Sequence, residues 1–492
     1  MIKADKVFAT YLTAIYLALA CFMAWNHELW VDEAYHYLLS NNSPSVFDIF
    51  ANGGRSGHPV LWNLLLYLLK FFAPGIYSMQ VFHVLIATTC VFVIACFSPF
   101  SRAAKVMLAF GYFFVYEYNV ISKNYILGFS LIFIALVLSE KRKPLWIIVT
   151  LLGLAANTHL FCLFISVPLM IYLYKSHYAP YFLKPKLFLV LLFVSFLLSS
   201  VIQIIPPAEI IHQYMGYDEP SFWSLTRANR ALSSLVKGLI NVPDFRQLNF
   251  WNSNLIQNLS KSLFYWLSPL LLLLFYGYFK KEKTILILFV IPILSIMGFL
   301  YFTPLTVGVR YWGCYYVLFV LCTWLYTRKR PLKGVMNGFF MSIIGLQFLV
   351  SLPTLLKEYQ LPFSQSKNAA RYLRAVGLET YPVFCEKLAL GPPLSAYSGK
   401  AVYYPSSKTF ETYSYWIKLK EYVLMDFIKE CASDMDLMDI DTCVVALQHS
   451  AGDSVIQVFQ KKHVLSKLDV FDGAILRGEN YYLYLLRKGA EE

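Results

Sequence analysis

The chain has 492 residues, 58% of them hydrophobic and only 14% charged, against about a quarter charged in a soluble domain. That much apolar surface cannot be hidden in one water-soluble core, which excludes a soluble enzyme or binding domain as the whole protein. The net charge of +13 invites a nucleic-acid partner, but in a membrane chain Lys and Arg gather in cytoplasmic loops, and no nucleic acid is expected.

A helix needs about 20 apolar residues to cross a bilayer. The first such stretch, 7–25, follows Lys3 and Lys6 and is not followed by a small-residue cleavage site, so a retained first helix is expected. Further crossings are expected at 76–100, 106–121, 125–139, 187–206, 262–279, 284–303, 311–327 and 334–353. The longer stretch 144–174 holds Asn157, His159 and Pro168 and is read as two short helices meeting near Thr158. This gives an all-α polytopic domain of about 11 crossings.

Connections rich in Lys and Arg fall on one side: Arg102/Lys105, 141–143, Lys184/Lys186, 280–283 and 328–333. The positive-inside rule makes that side cytoplasmic, with the N-terminus. The alternation holds only if 59–72, which ends near Lys70, does not cross; it is expected as an interfacial helix in the first outer loop, opened by Pro59 at its first position. The outward segments are then 27–75, 121–125, 157–160, 207–261, 304–311 and the tail.

Residues 1–353 are thus expected to form the transmembrane domain and 354–492 a small extracytoplasmic α/β domain. In the tail, charge rises and strand-like runs appear at Tyr381–Cys385, Ala401–Tyr404, Thr442–Leu447, His463–Leu468 and Tyr481–Leu486, with helical stretches at Asn368–Val376 and Trp416–Lys429. Six of the nine Cys lie in apolar stretches. Cys385, Cys431 and Cys443 lie in the tail, at a spacing that fits no metal or disulfide framework.

Five polar features all fall on the outer side; membrane-depth charge is costly and tends to be functional. Asp32 and Glu33, followed by His36, could supply a general base or metal ligands, or could be first-turn acids favoured by the helix dipole. His58 precedes Pro59; a lone His is more often a satisfied hydrogen-bonder than a ligand. Glu117 is followed by Lys123 and Tyr125; the lysine could snorkel to the interface or pair with a lipid phosphate. His159 sits at the expected bend, where polar groups satisfy broken backbone bonds. Arg310 with Tyr311 and Trp312 suits an interfacial anchor or an anion site.

The order of these motifs resembles the GT-C superfamily of glycosyltransferases, in its protein O-mannosyltransferase (family 39) and aminoarabinose transferase branch. The likeness runs through Asp32-Glu33, His58-Pro59-Val60-Leu61, 120–125 and Thr158-His159-Leu160-Phe161, and covers about residues 7–175. Two departures stand out: Lys123 occupies the usual Arg position, and Ile121 stands where the family carries an acid.

The resemblance implies inverting transfer of a hexosyl- or pentosyl-type sugar from a polyprenyl-phosphate donor to a lipid, glycan or protein acceptor on the extracytoplasmic face of the cell (inner) membrane. Asp32 would be the base, with Glu33 orienting the loop or helping to hold a divalent metal. Lys123, Arg310 and Tyr125 would bind the donor phosphate, while His58, Glu117 and His159 would position substrate. A transporter or flippase of a lipid-linked substrate is the alternative. Such proteins often carry paired repeats, and no repeat is evident here.

Overall fold

The computed structural model describes residues 3–53, 57–179, 186–205, 224–303, 308–413, 422–459 and 462–489. The chain divides into two compact units. The membrane unit comprises Met1–Trp25 with Val46–Lys357, and the sheet unit comprises Asn26–Ser45 with Glu358–Glu492. The acid-bearing segment after the first helix therefore belongs with the C-terminal residues, although hydropathy alone grouped it with the crossings.

In the membrane unit the expected apolar runs become helices. Seven among the described residues are long and apolar enough to cross a bilayer: Asp5–Asn26, Ile76–Phe97, Leu160–Tyr178, Leu187–Ile204, Lys261–Phe279, Lys283–Phe302 and Gly334–Gln360. The protein is a multi-pass membrane protein. Along Leu187–Ile204, large apolar side chains such as Phe188, Leu191 and Leu198 stay exposed, as a lipid-facing helix requires.

The helices Tyr125–Glu140 and Leu145–Ala156 are apolar but shorter, at about 24 and 18 Å of rise. Val309–Lys329 is long enough, and nearly all of it from Trp312 to Tyr326 is buried. The expected break in 144–174 is present: one helix ends at Ala156 and the next begins at Leu160.

Two elements differ from expectation. The run 106–121 is not one crossing helix. A helix over Arg102–Ala109 gives way to a π-helical turn at Phe113–Glu117, and 118–124 is irregular. The whole of Gly111–Ser130 is buried, and irregular backbone at membrane depth is tolerated where protein encloses it. The short helix after His58 spans only Leu61–Leu69, with Val60 as its cap. Pro59 therefore lies outside it, and Val60 N–H donates to Gln203 Oε1 at 2.8 Å, which sets the entry. At nine residues it rises about 14 Å and is too short to cross.

The amphipathic helix Leu225–Leu239 packs on Lys261–Phe279, Lys283–Phe302 and Val309–Lys329. It comes from a segment expected to be an outward loop. The last residue of the expected crossing 187–206, the parts 207–223 and 304–307 of the expected outward segments, Lys184, and 416–421 of the expected tail helix lie outside the described residues.

Among the described residues the sheet unit holds six strands: β1 (Val383–Cys385), β2 (Val402–Tyr404), β3 (Thr409–Glu411), β4 (Thr442–Leu447), β5 (His463–Phe471) and β6 (Tyr481–Lys488). They are ordered β3-β2-β1-β4-β6-β5. The centre is parallel, β2-β1-β4, and the edges are antiparallel. Strand β4 shows why: Cys443, Val445 and Leu447 enter one apolar cluster with the helix Leu424–Leu437. Val444 and Ala446 enter the opposite one with Ser366–Ala375 and Gly391–Ser398. Covering both faces turns a strand into a continuous apolar run.

Candidate active site

In the membrane unit the site is built on the buried loop 118–124. Its backbone is held by His83, which is wholly buried in the helix Ile76–Phe97. His83 Nδ1 lies 3.0 Å from Asn119 O, and Nε2 lies 2.9 Å from Lys123 O and 3.1 Å from Lys123 N. One imidazole so bridges both ends of the loop that carries Lys123.

Glycine lets the neighbours close in. A Cβ on Gly128 would meet Thr158 Oγ1 at 2.3 Å, and one on Gly313 would meet Tyr118 Oη at 2.2 Å. Asn124 Nδ2 also donates to Thr158 O. These contacts bring the turn bearing His159 and the helix bearing Arg310 onto the loop.

The result is a cluster of rings with two cations. Tyr125 stacks near Tyr118 at 5.8 Å and lies 4.4 Å from His159. His159 is 5.1 Å from His58 and 5.3 Å from Tyr311, and the Tyr311 hydroxyl reaches His58 Nε2 at 3.4 Å. Tyr118 donates to Arg310 O at 2.7 Å. The Arg310 guanidinium lies over Trp251 at 5.6 Å and Tyr311 at 5.7 Å.

Lys123 and Arg310 are only 4% and 9% exposed. His159 caps the helix Leu160–Leu173, its Nδ1 accepting from Phe161 N–H at 3.1 Å. Burial, and then the like charges of Lys123 and Arg310, hold it well below its ordinary pKa. Both buried cations therefore act on His159. Glu117 belongs to the same group: Tyr112 Oη–H and Trp251 Nε1–H each donate to its Oε2 at 3.1 Å.

Asp32 and Glu33 lie in the sheet unit, in the first turn of the helix Val31–Asn42. Glu33 is wholly buried and contacts His27 Nε2 at 2.9 Å. His27 Nδ1 lies 2.6 Å from Glu358 Oε1. With a carboxylate on each ring nitrogen and all three side chains 0% exposed, both nitrogens must carry protons. Burial disfavours that charge, but the two acids outweigh it and raise His27 well above its ordinary value.

The backbone around Asp32 is equally well satisfied. Leu29 N–H donates to Tyr397 Oη at 2.8 Å, Val31 N–H to Glu479 Oε1 at 2.8 Å, and Phe363 N–H to Glu28 Oε2 at 3.0 Å. Asp32 itself is 7% exposed. Burial pushes Glu479 up to about 8, aided by the nearby charges of Asp32 and Glu33.

His27, His83, Trp251, Glu358 and Glu479 were not singled out from the sequence. His27 had a signal, six residues before Glu33; the others are joined to their partners only by the fold. Among the described residues no three His, Cys, Asp or Glu side chains converge as a metal-ligand set.

No family model matches the chain, and no curated protein matches it. It is similar to the crystal structure of ArnT from Cupriavidus metallidurans bound to undecaprenyl phosphate, at a TM-score of 0.46 and 11% identity over 98% of each chain. A score this low assigns no function.

Proposed function

We propose that the protein is an extracytoplasmic glycosyltransferase that moves a sugar, with inversion, from a polyprenyl-phosphate donor to an acceptor hydroxyl. The observation that carries this reading is the pair of buried cations, Lys123 and Arg310, around a neutral His159 in a unit of apolar helices. A lipid phosphate matches both halves of that environment: its tail suits the helices and its headgroup suits the cations.

In the proposed step the acceptor oxygen attacks the anomeric carbon and the bond from that carbon to the phosphate oxygen breaks. Asp32 takes the hydroxyl proton. The departing polyprenyl phosphate gains negative charge, which Lys123 and Arg310 offset in a low-dielectric setting. Tyr125, His58 and His159 shape the donor side, and Glu117 orients the ring under Arg310 through Trp251. The bonding of Glu33 to His27 favours an orienting role over proton transfer.

The reading puts the N-terminus inside, the sheet unit outside and the protein in the inner membrane, on the charge of the connections. Alkaline phosphatase fused after Leu355 is then active, whereas a fluorescent cytoplasmic reporter there would reverse the orientation. The reaction itself is tested by deleting the gene and mass-analysing envelope glycans and lipids. One component should lose a sugar while the lipid-linked sugar accumulates on the outer leaflet. Accumulation confined to the inner leaflet would indicate a flippase instead.

A further inference from the structure

The first four N–H groups of a helix have no partner within it, so a helix start is prone to fray. The helix Val31–Asn42 begins with an acid to which transfer chemistry is assigned, yet both residues flanking that acid are anchored from distant parts of the sheet unit. On one side, Val31 N–H is held by Glu479 Oε1, a partner 448 residues away, in the turn before β6. On the other, Glu33 is held by His27, which Glu358 grips from 331 residues away. Glu33 also reaches back towards Trp30 N–H at 3.4 Å, as the third-position acid of a capping box does.

We propose that Glu479 and the Glu33–His27–Glu358 triad are positioning residues that fix the place and direction of the Asp32 carboxylate. The proposal rests on the reading of Asp32 as the base. Anchors at 31 and 33 leave the backbone of residue 32 no independent freedom. Reacting groups must be held to within about 0.5 Å, which a frayed first turn cannot do.

The choice of residue types fits this role. An amide would cap Val31 without the cost of burying a carboxyl group. A glutamate raised to about 8 is largely neutral near pH 7, so it caps the turn without setting a second negative charge beside Asp32. In the triad the central imidazolium balances one of the two carboxylates. Nearby, burial raises the pKa of Glu28 and lowers that of Lys367, disfavouring the charge of each. The C-terminal sheet is in this view the frame of the acid loop, beyond any part it has in guiding an acceptor.

The test compares Glu479→Leu, Glu479→Gln, Glu358→Gln and Asp32→Asn in full-length protein, on the transfer reaction identified from the gene deletion. Glu479→Leu removes the acceptor for Val31 N–H and should lower kcat by about tenfold or more while leaving KM for the donor unchanged. Glu479→Gln keeps an acceptor oxygen and should restore most of that loss. A merely structural role would lower the yield of inserted protein, or move both constants together, without the split. Glu479→Leu that is correctly inserted and within about twofold of wild-type kcat overturns the proposal. If Glu479→Leu does not fold, Glu358→Gln decides on the same criterion. An active Asp32→Asn overturns the base assignment and this inference together. An inactive Asp32→Asn beside an active Glu479→Leu overturns the positioning alone.

Discussion

The two polar regions of this protein use buried charge in opposite ways. Around Asp32 the charged groups are tied to one another: acid, imidazolium and acid lie in a row at 2.9 and 2.6 Å, and the adjoining amides are capped by side chains. Around Lys123 and Arg310 two buried cations sit among aromatic faces, beside a histidine that burial and then those cations keep neutral. A closely bonded network is suited to hold one group still. Buried cations are suited to take up negative charge that arrives with a ligand or develops during a reaction. The contrast separates the groups that would do chemistry from the groups that would hold them.

The sharpest way to break the contrast is Asp32→Asn. It preserves shape and hydrogen bonding but removes proton acceptance, so turnover should fall by about 10²–10⁴ with donor binding little changed. Glu33→Gln should act more mildly on turnover, through His27 and the first turn that carries Asp32. If turnover survives Asp32→Asn and is abolished by Glu33→Gln, the roles within the pair are reversed.

Lys123→Ala comes next. Loss of a charge-assisted phosphate contact costs about 1.5–3 kcal/mol, which corresponds to a donor requirement raised roughly 10- to 150-fold. Lys123→Arg should keep much of the activity, since charge matters more here than shape. Equal activity of Lys123→Ala and wild type at limiting donor would reduce Lys123 to an interfacial anchor.

The pH dependence of stability distinguishes the regions by sign. Glu479 titrates at about 8 in the folded sheet unit against an ordinary 4.5, so between these values the native state holds a proton that the unfolded chain has lost. Stability should therefore fall as pH rises through that window, by roughly 2–5 kcal/mol. His27 acts in the same direction, its contribution being present below 6.5 and lost as pH passes its raised value. Glu479→Gln should flatten the thermal-melting profile between about pH 5 and 8. A melting temperature that rises with pH across this window would contradict the burial of a protonated Glu479.

The smallest effect is expected for Trp251→Phe. It keeps a ring under Arg310 but removes the indole N–H from Glu117, at a cost of about 1 kcal/mol. Donor KM should rise several-fold with kcat nearly intact; a fall of about 100-fold in kcat would move Glu117 from support into the reaction.

Apolar length made most of the membrane unit legible, and the polar group Asn157-Thr158-His159 marked the break between two short helices. The π-helical turn at Phe113–Glu117 was not legible, because 106–121 reads as one apolar run and only the enclosing protein makes its irregular backbone tolerable. Strands β1, β4, β5 and β6 followed from β-branched and aromatic runs. β3 is three residues of mixed polarity and emerges only from pairing with β2. The titratable residues of the two sites were visible as local motifs. Their partners were not: Trp251 lies 134 residues from Glu117, and Glu358 and Glu479 lie several hundred from the helix they anchor. No spacing rule spans such distances.

The most direct test of the central claim is equilibrium binding of a polyprenyl monophosphate to the full-length protein in nanodiscs of uncharged lipid. Wild type should bind it saturably, Lys123→Ala and Arg310→Ala should each weaken binding by about tenfold or more, and Asp32→Asn should bind as wild type does. Binding that is unchanged by removal of either cation would contradict the account.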